Sequence, residues 1–98
     1  MAVRQEQIEK AVEVAKRFGA TRLLLFGSAV ESPATARDLD LACEGVEGWE
    51  FFGLQAALED AIGVPVDLVS LTPESSFVHR IEREGRVLYE DRTVATAG

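Results

Sequence analysis

Five residues of this chain are of types that can hold a polyphosphate and a divalent cation: Gly27, Ser28, Asp38, Asp40 and Asp67. Gly27-Ser28 closes the apolar run Leu23-Leu24-Leu25-Phe26, Asp38-Leu39-Asp40 follows after nine intervening residues, and Asp67 lies within the apolar stretch Val64 to Val69. A turn of small residues lets backbone N–H groups come against a triphosphate. Carboxylates two apart on a strand share a face, with Cα atoms about 6.6 Å apart from two rises of roughly 3.3 Å. Two such charges repel, and a divalent cation converts the repulsion into binding; magnesium suits all-oxygen donors completed by phosphate and water. Asp67, alternating with Val66 and Leu68, can join that face. There it would ligate a second metal ion or accept the proton of an attacking hydroxyl, and its residue type does not choose between these roles. The chemistry to which the set points is metal-assisted nucleotidyl transfer.

The elements that must position these residues are legible as periodicities. Ile8, Ala11, Val12, Ala15 and Phe18 fall at helical spacing over residues 5 to 18, and Gly19 stops that helix. Arg22 to Phe26 is short and evenly apolar, which predicts a strand buried on both faces. Ser32-Pro33-Ala34-Thr35 suits a loop after a short helical turn. Asp38 to Cys43 returns to strand, and a second long helix is expected from about Glu47 to Ile62, with Trp49, Phe52, Leu54, Ala57, Leu58 and Ala61 on its apolar side. Val64 to Leu71 is a third strand. Thr72-Pro73-Glu74 carries the signals of a helix start, and Phe77, Val78 and Ile81 give that helix its buried side. Gly85 ends it before a last strand, Arg86 to Tyr89. The fold class is therefore α/β (α+β), a mixed sheet of about four strands covered by helices, because the short link between the first two strands argues against an all-parallel sheet. Residues 1 to 91 read as one domain and 92 to 98 as a loose tail.

The bulk composition narrows the function classes. Seventeen acidic residues against ten basic ones give a formal charge of -7, which disfavours direct binding of nucleic acid. No stretch approaches the roughly 20 apolar residues of a membrane span, and a single cysteine, Cys43, excludes an internal disulfide. A cytoplasmic protein is expected. There is neither a P-loop ending nor a Gly-x-Gly-x-x-Gly fingerprint, and one His with one Cys makes zinc hydrolysis untenable. His79 reads as a helix-surface residue and Cys43 as a small buried one. For Trp49 and Phe51-Phe52, core packing is the first expectation, with a partner surface as the other.

Gly27-Ser28, the nine-residue gap and Asp38-Leu39-Asp40-Leu41 together resemble the signature of the DNA polymerase β-like nucleotidyltransferases, and specifically the minimal nucleotidyltransferases of prokaryotes. The resemblance runs over about residues 5 to 91. It implies that Gly27 and Ser28 grip the nucleotide's phosphates, that Asp38 and Asp40 are metal ligands with Asp67 as third carboxylate, and that ATP is the substrate with two Mg2+ ions as cofactors. It also implies a partner, an all-helical HEPN ribonuclease toxin, which such proteins neutralise as antitoxins by moving AMP from ATP onto a tyrosine. Two other functions are open at this stage: an antitoxin that masks a basic ribonuclease by binding alone, and the nucleotide-binding subunit of a two-chain transferase. Family members often carry Arg or Tyr after the Gly-Ser pair and Arg two residues on, where this chain has Ala29, Val30 and Glu31. A carboxylate there repels a triphosphate, and Arg37 is the nearest cation to offset it.

Overall fold

A computed structural model describes residues 4–32 and 38–91 of the chain; Arg37 and the tail from Arg92 lie outside them. The elements follow in the order α1 (Gln5–Arg17), β1 (Arg22–Phe26), α2 (Ser28–Glu31), β2 (Leu39–Glu44), α3 (Trp49–Ile62), β3 (Val66–Ser70), α4 (Ser76–Glu84) and β4 (Arg86–Glu90). The strands form one sheet in the order β3-β2-β1-β4. β1 runs antiparallel to both β2 and β4, whereas β2 and β3 are parallel, the crossover between them being α3. The expected mixed sheet of four strands is the one observed.

Strand alternation divides the apolar side chains between two faces. Leu23, Leu25, Leu39, Leu41, Val66 and Leu68 point to one face and pack beneath α1 and α3, which contribute Ala11, Val14, Leu54 and Leu58. Leu24 and Ala42 point to the other, where Val78 and Ile81 of α4 cover them together with Leu71. That second face is only partly roofed. Asp40 and Asp67 alternate with first-face residues, so they belong to the second face, beyond the patch that α4 covers.

Polar side chains fix how the helices seat. Gln7 of α1 accepts from the Arg4 backbone N–H at 2.8 Å, and its own amide donates to the Ile62 carbonyl at the end of α3. Arg22 of β1 donates to Glu82 of α4 at 2.7 Å and to Glu44 of β2 at 3.3 Å, which ties α4 to the sheet. Buried apolar area remains the main stabilising term, since each of these polar contacts exchanges a bond with water for one within the protein.

Three sequence expectations are corrected. Trp49 and Phe52 do not pack in the core: they are 90% and 67% exposed, because the buried side of α3 is formed by Leu54, Leu58 and Ile62, and Trp49 and Phe52 fall off that side. Phe51, their neighbour on α3, does pack against the core. Phe77, expected on the buried side of α4, is 53% exposed, and Val78 and Ile81 form that side. Finally, α4 starts at Ser76 rather than at Thr72-Pro73-Glu74. Ser75 is its N-cap, its hydroxyl accepting from the Val78 N–H at 3.1 Å. The Ser70 hydroxyl accepts from the Thr72 N–H and donates to the Thr72 carbonyl, holding the residue after Leu71 in a turn instead of a cap.

Candidate active site

The registers of β1, β2 and β3 bring the candidate residues together. Phe26, the last residue of β1, stands opposite Asp40, so the chain leaves β1 at Gly27 directly beside the Asp40 side chain. Gly27 has φ 72° and ψ -147°, a region open essentially to glycine. A Cβ at this position would strike the Asp40 carboxylate, its carbon lying 3.0 Å away. Glycine is required here twice over, for the backbone bend and for the room that Asp40 occupies.

Asp67 is fixed from the other side. In the parallel ladder Asp40 pairs with Asp67, so their side chains stand side by side on one face, one strand spacing of about 4.8 Å apart. The start of β3 is held by α3: the Val66 N–H donates to the Glu59 carboxylate at 3.0 Å and the Val66 carbonyl accepts from the Gln55 amide at 3.1 Å. The Leu39 N–H donates to the Pro65 carbonyl at 3.0 Å, which sets the register at the same level. Gln55 and Glu59 act on the site only through backbone, and helical periodicity gives no sign of such a role.

The electrostatics follow from this geometry. Asp40's carboxyl is raised above its ordinary value, first because it is partly desolvated, then because of the charge of Asp67, with Asp38 adding to the effect. The Ser28 backbone N–H opposes the shift by donating to Asp40. That N–H, expected at the phosphates, is thus engaged with the carboxylate. Asp38 lies in a bend just before β2 and is exposed, close enough for its charge to reach Asp40. Among the described residues no three His, Cys, Asp or Glu side chains are drawn into a closed metal cage. The nearest arrangement is the registered pair Asp40 and Asp67, with Asp38 at its rim. A set of hard oxygen donors whose mutual repulsion already disfavours ionisation fits a divalent cation of the magnesium type.

Other candidates fall away from the site. His79 lies on the exposed surface of α4, 4.0 Å from Glu74, and Cys43 is buried, its thiol pushed up to about 11 by desolvation. Glu31 is exposed and, with Gly27, lines a cavity between α2 and α4 that Phe77 and Arg80 close from the other side. No local sequence signal connects α4 with Gly27, because the antiparallel return of β4 beside β1 is what carries α4 there.

Residues 6–93 match the family described as polymerase beta, nucleotidyltransferase. No curated protein matches the chain in sequence. Among solved structures, one assigned as a minimal nucleotidyltransferase is 31% identical, with TM-score 0.70, 83% of this chain and 88% of that chain being covered. A tri-AMPylated Shewanella oneidensis HEPN toxin in complex with MNT antitoxin is similar at TM-score 0.71 and 19% identity, over 97% of this chain and 79% of that one. A toxin–antitoxin complex with AMP-PNP gives TM-score 0.73 and 20% identity, over 92% and 78%. The chain belongs to the polymerase β nucleotidyltransferase family and, within it, to the minimal nucleotidyltransferases.

Proposed function

We propose that this chain is a Mg2+-dependent nucleotidyltransferase that moves AMP from ATP to a hydroxyl, a tyrosine by family resemblance, of a HEPN-type helical toxin, and so acts as its antitoxin. The observation that carries the reading is the paired register of Asp40 and Asp67 with Gly27 pressed against Asp40. The similarity to complexes of HEPN toxin with MNT antitoxin, one of them tri-AMPylated, supports the choice of partner and of transferred group. A domain of this size has little room for a separate acceptor-binding module, so the partner itself must supply much of the acceptor site.

Asp38, Asp40 and Asp67 would hold magnesium, which when bound neutralises triphosphate charge and makes the α-phosphorus more electrophilic. Gly27 lets the chain turn hard against Asp40, so that phosphate oxygens approaching that bend would lie next to the metal-holding carboxylate. Asp67, exposed at the edge strand, is open to an incoming hydroxyl and would accept its proton. The hydroxyl oxygen bonds to the α-phosphorus, the bond from that phosphorus to the β-bridging oxygen breaks, and pyrophosphate leaves. The Ser28 N–H, by donating to Asp40, would help to orient that carboxylate toward the metal.

Incubation of the chain with a HEPN-type partner, ATP and Mg2+ should add one or more AMP groups to the partner by mass spectrometry, and Asp40→Asn should abolish the addition. A partner left unmodified at saturating ATP would reject catalysis. The second reading, neutralisation by binding alone, is favoured by Glu31 beside Gly27 and by the charge of -7. It requires neutralisation to survive Asp40→Asn and to weaken with salt.

A further inference from the structure

The cavity between α2 and α4 has a volume of about 170 Å³. That is below the roughly 300–1,000 Å³ that houses a whole drug-sized ligand, and suits one flat ring system. Its walls are apolar, formed by Phe26, Val30, Phe77 and Ile81, with the charged groups Glu31, Arg80 and Glu84 around them. Phe77 is half exposed, stands edge-on to Phe26 at a centroid distance of 6.2 Å, and so leaves ring surface without an aromatic partner on its open side. Arg80 donates to Glu84 at 3.3 Å on an exposed stretch of α4, which puts a donor and an acceptor beside the cavity. Gly27 belongs both to this cavity and to the contact with Asp40.

We infer that this cavity is the nucleobase site: the heterocyclic ring of the nucleotide stacks on Phe77, between Val30 of α2 and Ile81 of α4, while its phosphates lie by Gly27, next to the magnesium that Asp40 would hold. The inference rests on the nucleotidyltransferase reading and adds to it the group that selects the substrate. Apolar walls reject a phosphate, which must lose its water there without a matching donor set, whereas every base has a face that stacks on an aromatic side chain. The charged groups beside the cavity can then pair with a base's edge.

Calorimetric titration of the whole chain with Mg-ATP and with Mg-tripolyphosphate tests the inference. Phe77→Ala should weaken ATP binding about five- to tenfold, the lower end of what base stacking on an aromatic contributes, because Phe77 is only half covered. Tripolyphosphate binding should not change, and Phe77→Trp should restore ATP. Val30→Phe, which fills the cavity, should block ATP and spare tripolyphosphate. Equal losses for both ligands, or ATP binding indifferent to Phe77→Ala and Val30→Phe, would overturn the inference; a raised KM for the acceptor with ATP affinity intact would give the cavity to the acceptor ring instead. Failure of the wild-type chain to bind either ligand would reject the underlying nucleotidyltransferase reading as well.

Discussion

Replacing Asp40 with asparagine should make the metal-free protein more stable, although it removes the residue on which the proposed activity depends. Asp40's carboxyl is raised by partial burial and then by the Asp67 charge. Folding therefore disfavours its ionised form: the contribution is intact below the ordinary aspartate value of about 3.9 and is lost as the pH rises through the raised folded-state value. The size follows from the register. Two charges about 5 Å apart repel by about 0.8 kcal/mol in water and about 3.3 kcal/mol at an effective dielectric of about 20. Asp67 is exposed, so the lower part of that range applies, and asparagine can still accept from the Ser28 N–H. A gain of about 1 kcal/mol corresponds to a Tm rise of about 4–8 °C in a domain of this size. Thermal unfolding followed by circular dichroism at pH 7 in EDTA should show this rise, and the difference should vanish below pH 4. Magnesium at ten times its Kd should then stabilise the wild type by about 1.4 kcal/mol and leave Asp40→Asn unchanged. A variant less stable than wild type at pH 7, or a difference independent of pH, would refute the reasoning.

Gly27→Ala should cost about 1–3 kcal/mol through its backbone region alone, and the collision with Asp40 should also remove Mg-ATP binding; urea unfolding and calorimetry read the two effects. Ser75→Ala should lose about 1 kcal/mol as an N-cap, whereas Thr72→Ala should fall within about 0.5 kcal/mol of wild type in the same denaturation assay. Trp49→Ser should likewise stay within about 0.5 kcal/mol, in contrast to about 2–5 kcal/mol for Leu54→Ala. Salt titration of toxin binding should show weaker association at high ionic strength if the acidic chain meets a basic partner.

The order of elements and the mixed sheet could be read from the sequence because short apolar runs and helical periodicity alternate clearly, and Arg22–Phe26 was located to the residue. Gly27, Asp40 and Asp67 were legible as candidates because spacing and alternation are local properties. Their registration was not: that Asp40 faces Asp67, and Phe26 faces Asp40, is set by hydrogen bonds between elements, including those from Gln55 and Glu59 to Val66. The aromatic residues misled for a related reason. Hydrophobicity marks Trp49, Phe52 and Phe77 as core, but which side of a helix is buried depends on where the helix docks. Thr72-Pro73-Glu74 and Ser75 both satisfy the local rule for a helix start, and only the turn built on Ser70 distinguishes them. Arg37, the proposed compensation for Glu31, lies outside the described residues.

Label transfer tests most directly whether the Gly27–Asp40–Asp67 arrangement performs nucleotidyl transfer. With ATP labelled at the α-phosphate, the HEPN-type partner should acquire label in the presence of the wild-type chain and Mg2+, and acquire none with Asp40→Asn. With ATP labelled at the γ-phosphate it should acquire none. Label arriving from the γ-phosphate, or α-label transferred undiminished by Asp40→Asn, would contradict the account.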